Sequence, residues 1–229
     1  MCSSDLERDA RFTSDVSHEL RSPLMTLAAS AQVMQARRDE LSERSQAALD
    51  LLVSDVARFQ SLVEDLLEIS RFDAGVVRLV REPLRVVEFV RQAVAVSSLP
   101  RTPIASDPGV DDAVIHGDRR RLARVIANLI DNAILYAGSG SQVTVRVRTL
   151  PDPGLCAMEV EDDGPGIPPE ERHRVFERFV RATHSGTGCG LGLAIVREIV
   201  SRHGGEVALL PLAPRGLIVR ITLPTRENS

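Results

Sequence analysis

Lysine is absent from this sequence of 229 residues, in which all 28 basic residues are arginine. The absence excludes a phosphate-binding loop of the GxxxxGK[ST] type and any mechanism that uses a lysine Schiff base. A cationic contact to phosphate must therefore come from arginine, which donates in a fixed, planar geometry. Aromatic residues make up only 3% of the chain, so we expect aliphatic cores.

Charge, cysteine content and hydropathy exclude further classes. A net charge of -4 gives no general attraction to nucleic acid. No apolar run is long enough to span a bilayer, and no secretory signal opens the chain. The three cysteines lack CxxC spacing and show no metal-ligand spacing with the five histidines, which predicts no disulfide framework and no zinc site. We expect a soluble, cytoplasmic chain.

Residues 5–73 contain no glycine and one proline, and carry two apolar stripes at helical spacing. The polar segment 37–40 separates the stripes, so we predict two long helices joined as an antiparallel hairpin. One hairpin cannot bury both stripes; a homodimeric four-helix bundle would do so, and packing against the rest of the same chain is the alternative. The stripes consist of Val16, Leu20, Leu24, Leu27, Ala31 and Met34, and of Leu49, Leu52, Val56, Phe59, Val63, Leu66 and Leu67.

The composition changes after Gly75, where the second predicted helix ends. Short β-branched runs then alternate with helical stretches, which predicts an α/β sandwich domain. Asp118 is positioned to cap the helix that follows it, and the Pro-, Asp- and Gly-rich residues 99–112 predict an irregular loop. The predicted strands are 76–80, 142–149, 156–161, 207–210 and 217–223, and the predicted helices are 85–97, 119–136 and 192–203.

A histidine and a carboxylate, His18 and Glu19, adjoin on the first predicted helix. A histidine that attacks an electrophile needs a neighbouring group to take its leaving proton. An exposed histidine next to a solvated glutamate is the more common explanation, and on this pair alone we favour it. In a continuous helix Pro23 cannot bond the carbonyl of Glu19, so we expect a bend just below His18.

Two segments of the α/β region carry polar groups suited to a nucleotide. Asn128 and Asn132 lie four residues apart on one helical face, where amide oxygens can bind a hard cation such as Mg2+; two solvated polar residues are the alternative. Asp162 directly follows the predicted strand 156–161 and precedes Gly164 and Gly166, so backbone can approach a planar ligand while the acid accepts from an amino group. An ordinary Asp-Gly-Pro-Gly turn is the alternative here.

Two further segments add glycine and an apolar anchor. The glycine-rich residues 186–193 open a predicted helix, and N–H groups before a helix N-terminus can bind phosphate. This segment lacks the GxGxxG spacing of dinucleotide-binding folds, and a flexible linker is the alternative. Residues 176–179, with the sequence FERF, are typical of an apolar anchor before a lid but are weak evidence alone.

In their order along the chain, these segments resemble the H, N, G1, F and G2 boxes of bacterial two-component sensor histidine kinases. The resemblance covers nearly all of residues 5–225. It implies a dimerisation and histidine phosphoacceptor domain over residues 5–75, followed over residues 76–229 by an ATP-binding domain of the gyrase, heat-shock chaperone and histidine kinase type. The implied activity is ATP-dependent autophosphorylation on histidine and relay to an aspartate of a response regulator.

The same resemblance implies roles for single residues. His18 would be the phosphoacceptor, Glu19 would take its proton or hold its tautomer, and Ser22 would orient a water that dephosphorylates the regulator. Asn132 would bind Mg2+, and the acid of the strand-end turn would accept from the adenine amino group. The implied ATP-binding residues are Asn128, Tyr136, Asp162, Gly164, Gly166, Arg178, Gly188, Gly190, Leu191 and Gly192.

Three departures from the family pattern bear on activity. Leu135 stands where the family often has lysine or arginine, so one phosphate contact is missing, for which Arg178 or Arg181 could substitute. Ser22 stands where threonine or asparagine is more usual, which bears on phosphatase strength. The segment between residues 179 and 186 is short for a lid.

We therefore expect a homodimeric, ATP- and Mg2+-dependent protein-histidine kinase that acts on a receiver domain and has no nucleic-acid partner. Because the family usually places a membrane sensor upstream, the chain would then be the cytoplasmic part of an inner-membrane kinase. One alternative is an ATP-binding, phosphatase-biased or scaffolding module with weak autokinase activity. Another is an ATPase or Ser/Thr kinase of the same superfamily, which the His18–Glu19 pair with Pro23 disfavours.

Overall fold

The structure is a computed structural model that describes residues 22–73, 78–138, 140–152, 154–180 and 190–226. The chain divides into two compact units, Met1–Val77 and Arg78–Ser229. In the described ranges, no helix combines the length and the hydropathy that crossing a bilayer requires.

The first unit is a pair of helices. Residues 22–35 form helix α1, a 3-10 turn follows at Arg38–Glu40, and helix α2 spans Glu43–Asp73. The side chain of Gln46 closes the connection by donating to the carbonyls of Arg38 and Leu41, at 3.1 Å each. The predicted polar connection is confirmed. Helix α2 reaches Asp73, and Ala74 and Gly75, at the predicted end of the helix, lie outside the described residues.

Only part of each apolar stripe is buried within one chain. Leu24 packs with Val63 and Leu67 in a small core, and Ala31 and Leu49 are also buried. Eight large apolar side chains of this unit are more than 40% exposed, so a second apolar face of the helix pair stays open. They are Met25, Leu27, Val33, Met34, Leu51, Leu52, Phe59 and Leu66.

The second unit is one mixed sheet with helices, as the α/β prediction requires. Its seven strands lie in the order β1-β3-β7-β5-β4-β2, with β6 also paired to β7. Every pairing is antiparallel except that of β2 with β4. The elements are β1 Glu82–Arg85, α3 Val86–Ala95, β2 Ile104–Ser106, β3 Val114–Gly117, α4 Arg119–Ala137, β4 Val143–Thr149, β5 Leu155–Asp162, α5 Gly192–Arg202, β6 Glu206–Pro211 and β7 Leu217–Arg226.

The core of this unit lies between the helices and one face of the sheet. Valines alternate along β4 and point inward, and the apolar positions of α4 recur at helical spacing. The buried side chains of α4 are Leu122, Val125, Ile126, Leu129, Ile130 and Ala133. Because Asn128 and Asn132 alternate with these positions, the packing of α4 fixes where their amide groups lie.

The opposite face of the sheet carries a row of charge. Arg146, Glu159 and Arg220 lie directly opposite one another on β4, β5 and β7. The Glu159 side chain is fully buried beneath the arginines: Arg220 Nε donates to it at 2.6 Å, and Arg148 Nη1 lies 3.7 Å from its other oxygen. We call this the outer charged row.

Two predictions about this unit were wrong. Residues 78–80 of the predicted strand 76–80 are not a strand, and residues 76 and 77 lie outside the described ranges. Strand β1 forms later, at a proline-containing segment. The predicted loop 99–112 contains β2, which pairs in parallel with β4 through Pro103 and Asp107 at its flanks. The remaining helices and strands are confirmed to within about three residues, apart from β3, for which no prediction was made.

Asp118 caps α4, as predicted, and this cap is joined to the end of α5. Its Oδ1 accepts from Arg121 N at 3.2 Å, and its Oδ2 accepts from Val80 N at 3.2 Å. The backbone N–H of Asp118 donates to Nε2 of the buried His203 at 2.9 Å. The N-terminus of α4 and the C-terminus of α5 are therefore held by one buried group of hydrogen bonds.

Candidate functional site

Asn128 and Asn132 lie one turn apart on α4, and the amide nitrogen of each has no hydrogen-bond partner in the described part of the chain. Both Nδ2 atoms are buried and make no hydrogen bond within the described part of the chain. A buried polar group without a partner costs free energy, so such atoms in a native structure need an explanation. The oxygen and nitrogen of an amide can be exchanged by a flip of the group, so each asparagine can present either an oxygen or an N–H group to a ligand.

The start of α5 lies against Asn132. A Cβ on Gly192 would be 3.5 Å from Asn132 Nδ2 and 3.6 Å from its Oδ1. Among the residues that the structure describes, no side chain caps this helix, so the N–H groups of its first turn can bind an anion. Leu191 is fully buried, so its side chain belongs to the core and only its backbone can contact a ligand.

Asp162 occupies the end of β5 and is 8% exposed. Its Oδ1 accepts from Gly164 N at 2.9 Å, which closes an Asx-turn. In the described ranges no donor reaches Oδ2, so this oxygen can accept from a ligand. Burial raises the pKa of Asp162, and the neighbouring Asp163 adds to the increase, against the hydrogen bond from Gly164.

The glycines after Asp162 allow close approach of backbone. A Cβ on Gly164 would be 2.6 Å from Ala137 Cα, at the end of α4 next to the half-buried Tyr136. Gly166 has a φ of +74°, and a Cβ there would be 3.0 Å from Gly216 O. The turn therefore packs on the C-terminal end of the helix that carries the two asparagines.

The segment 176–180 meets the glycine-rich segment at Gly190. Phe179 N donates to Gly190 O at 3.0 Å, and both residues have positive φ, +64° and +72°. A side chain on Gly190 would collide with Val180 O at 2.8 Å. Phe176 is buried, with the Arg197 guanidinium 5.8 Å from its ring centre, whereas Arg178 is exposed.

The other predicted site residues are not among the contacts described above. Ser22 is an exposed residue of α1 in the first unit. His18, Glu19 and Gly188 lie outside the described residues, as does Arg181. Leu135 is 38% exposed on α4.

Two residues beside the turn after Asp162 were missed by sequence reasoning. Gly216, with a φ of +132°, is so close to Asp162 that any Cβ would overlap the Asp162 carbonyl oxygen. Arg215 Nε donates to Gly164 O at 3.0 Å. The Ala-Pro-Arg-Gly segment before β7 is a visible turn signal, but nothing in its sequence indicates which loop it contacts.

The donor set fits Mg2+ and ATP. In the described ranges, no group of three or more His, Cys, Asp or Glu side chains could hold a metal ion. A cation here would depend on an amide oxygen, water and phosphate oxygens, which is the coordination that Mg2+ favours. The uncapped helix start suits the phosphates, and the free Oδ2 of Asp162 suits an amino group of a base.

Comparisons with known proteins agree with both units. Residues 8–75 match the family described as His Kinase A (phospho-acceptor) domain, and residues 117–227 match Histidine kinase-, DNA gyrase B-, and HSP90-like ATPase. The signal transduction histidine-protein kinase/phosphatase MprB of Mycobacterium ulcerans (strain Agy99) is 38% identical over 217 residues, which are 92% of this chain and 42% of that protein. The chain thus spans less than half the length of this curated relative.

Solved structures agree in fold. Full-length ShkA in complex with AMPPNP has a TM-score of 0.76 at 26% identity, over 96% of this chain and 46% of that one. The mycobacterial sensor histidine kinase MprB has a TM-score of 0.54 at 34% identity, over 64% of this chain and 99% of that one. The chain therefore belongs to the two-component sensor histidine kinases, of which it contains the phospho-acceptor and ATPase regions.

Proposed function

We propose that this chain binds ATP with Mg2+, phosphorylates its own His18 and passes the phosphoryl group to an aspartate of a response regulator. The observation that carries the proposal is the pair of buried Nδ2 atoms of Asn128 and Asn132, which have no hydrogen-bond partner in the described part of the chain, together with the start of α5 beside Asn132. This arrangement is costly unless a ligand with both a cation and phosphate oxygens completes it.

The adenine end of the site is the turn after β5. Asp162 accepts the exocyclic amino group through Oδ2, because Oδ1 is already bound to Gly164 N. Gly164 and Gly166 let the turn pack closely on Ala137 and Gly216, since a side chain at either would meet backbone, and this packing fixes the turn beside Asp162. Tyr136 lies one residue before Ala137, against which Gly164 packs, and lines the neighbouring wall.

The phosphate end is the facing pair of α4 and α5. Asn132 holds the cation through its amide oxygen, and Asn128 orients groups next to it. Mg2+ supplies charge neutralisation at the phosphates when bound. Backbone N–H groups of Gly188, Gly190, Leu191 and Gly192 bind phosphate oxygens, and the exposed Arg178 supplies the cationic contact that Leu135 cannot make.

The phosphoacceptor chemistry belongs to the segment that precedes Ser22 in the sequence. His18 attacks through its unprotonated ring nitrogen, and Glu19 accepts or orients the proton on the other nitrogen. Ser22, four residues after His18 in the sequence, orients the water that removes phosphate from the regulator. The relative MprB carries both kinase and phosphatase in its name, and we extend both activities to this chain.

We further propose that the chain acts as a homodimer in the cytoplasm. Eight large apolar side chains of α1 and α2 are more than 40% exposed in one chain, and a four-helix bundle made with a second copy would cover them. The receiver domain of the regulator would then approach the bundle near His18. The signal that regulates the kinase would be received by a region that the longer relatives have and this chain does not match.

The proposal is tested with γ-labelled ATP and Mg2+. We expect label that is acid-labile and absent from His18→Gln, and strongly reduced labelling in Asn132→Ala. The exposed His116, on β3, gives the matched control, since His116→Gln should label as the wild-type protein does. ATP binding without any labelling would contradict the kinase proposal and favour the phosphatase-biased or scaffolding alternative.

A further inference from the structure

The loop after Asp162 lacks half of the backbone N–H donors that a loop of its length would usually have. Three of residues 164–169 are proline, which has no N–H group. The carbonyls of Gly164 and Ile167 instead accept from arginine side chains: Arg215 Nε donates to the first at 3.0 Å, and Arg172 Nε to the second at 3.0 Å. Side chains therefore determine the path of this loop.

Arg172 and Arg215 differ in where they come from. Arg172 is five residues from its acceptor, so its hydrogen bond is local. Arg215 is 51 residues from Gly164 and belongs to the connection between β6 and β7. Only the second bond ties the loop to a separate element of the fold.

The β6–β7 connection also packs directly on the loop. The pairing of β5 with β7 extends to Asp162 opposite Leu217. Gly216 lies against the Asp162 carbonyl oxygen, and its own carbonyl oxygen lies 3.0 Å from the Cβ position of Gly166. Leu212 N donates to Gly216 O at 3.3 Å, which closes the connection on itself. Arg215 thus projects from a constrained turn rather than from a loose loop.

From this geometry we infer that Arg215 is a positioning residue for nucleobase recognition, which acts by holding Gly164 while Asp162 binds the base. Gly164 is fixed from two sides, through its N–H to Asp162 Oδ1 and through its carbonyl to Arg215. Without the hydrogen bond from Arg215, Gly164 is less restrained. The Asp162 carboxylate, which Gly164 orients, then directs Oδ2 toward an amino group for a smaller fraction of the time. This inference rests on the proposed nucleotide site.

The test measures nucleotide affinity in the full chain. Arg215→Met keeps the aliphatic stem and removes the donor, and Arg215→Lys keeps a cationic donor. We expect Arg215→Met to weaken the Kd of ADP and of ATP equally, by about tenfold, the low end for one hydrogen bond to a charged group. Arg215→Lys should recover most of the affinity. Arg91→Met, on the exposed face of α3, is the matched control and should not change Kd.

Three readouts separate positioning from a general structural role. The loss of nucleotide affinity in Arg215→Met should be the same with and without Mg2+, because the lost interaction acts on the nucleobase and not on the phosphates. The KM for ATP should rise while kcat at saturating ATP stays within about twofold. The preference for ATP over GTP should fall, since Asp162 discriminates by accepting from the amino group. The melting temperature, measured without nucleotide, shows whether each variant is folded.

The outcomes also separate this inference from the proposed function. If the wild-type chain binds neither ADP nor ATP, the proposed function fails and the inference fails with it. If the wild-type chain binds both and Arg215→Met binds them with unchanged Kd, only the inference is overturned. If nucleotide binding were weakened equally in Arg215→Met and Arg215→Lys, the inference would also be overturned, because the donor retained by lysine would then have no effect.

Discussion

The imidazole of His203 should make the stability of the α/β unit depend on pH. The ring is 3% exposed; its Nε2 accepts from Asp118 N at 2.9 Å, and its Nδ1 is 2.7 Å from Ile199 O. Because Nε2 accepts, Nδ1 must carry the proton and donate to Ile199, so the neutral ring is satisfied at both nitrogens. Protonation would place a second N–H group against the Asp118 N–H.

The direction of the effect follows from the pKa. Burial lowers the pKa of His203 below 6.5; the hydrogen bond to Ile199 opposes this, as does Asp118, whereas Arg81 and Arg121 add to it. The unfolded chain therefore binds a proton at higher pH than the folded chain does. The free energy of unfolding should fall as pH decreases below about 6.5, by at most about 1.4 kcal/mol per pH unit, until the pH reaches the folded pKa.

The assay is urea denaturation followed by the fluorescence of Tyr136, which lies on α4 and is the only tyrosine in a chain without tryptophan. His203→Gln keeps an acceptor for Asp118 N but does not titrate. We expect the slope of unfolding free energy against pH, between about pH 7 and pH 5.5, to be smaller in His203→Gln than in the wild-type chain. His116→Gln, on the exposed side of β3, should leave the slope unchanged.

Equal slopes in the wild-type chain and in His203→Gln would refute this reasoning, because His203 would then bind protons equally in the folded and unfolded states. A slope of opposite sign, with stability that increases as pH falls through 6.5, would mean that the buried ring is protonated. A second variant, His203→Ala, removes the acceptor as well and should cost about 2–4 kcal/mol at any pH, because it leaves a cavity and an unsatisfied Asp118 N–H.

Three other predictions concern single positions. Gly216→Ala should lower the free energy of unfolding by about 2–4 kcal/mol in urea denaturation, because its Cβ would overlap the Asp162 carbonyl oxygen; Gly109→Ala, with positive φ but open space, should cost only about 1 kcal/mol. Glu159→Ala should cost about 2–4 kcal/mol in the same assay, since it leaves its arginine partners without a buried acid, and a loss below about 0.5 kcal/mol would contradict the burial argument. Burial raises the pKa of Cys156 to about 12, so with the other two cysteines replaced by serine, thiol labelling at neutral pH should follow unfolding and not precede it.

The long periodic elements could be predicted from sequence because local pattern and tertiary packing agree there. Helices α4 and α5 have apolar faces at helical spacing, and β4 alternates cleanly between valine and polar residues. Strands β1 and β2 could not be predicted, because three or four residues that include or adjoin proline have little strand preference of their own. Pairing with β3 and with β4 determines their conformation.

The same distinction applies to the candidate site. The spacing of Asn128 and Asn132 places both amides on one face, and this follows from helix geometry alone. The contacts of Arg215 and Gly216 with the loop after Asp162 depend on which strands pair, and β5 and β7 are far apart in sequence. No local pattern encodes such a partner. The buried environment that raises the pKa of Asp162 is likewise a product of the whole fold.

The outer charged row affects how copies of this protein meet at high concentration. A second sheet can stack on a sheet whose two faces are both apolar. Here, stacking on the outer charged row would require the arginine head groups to lose water and their acidic partners. The sheet edges are also poor templates, because β1 and β6 contain Pro83 and Pro211, and β2 is three residues long. The ATPase unit is therefore protected against aggregation through its sheet, and apolar association is left to the open face of α1 and α2.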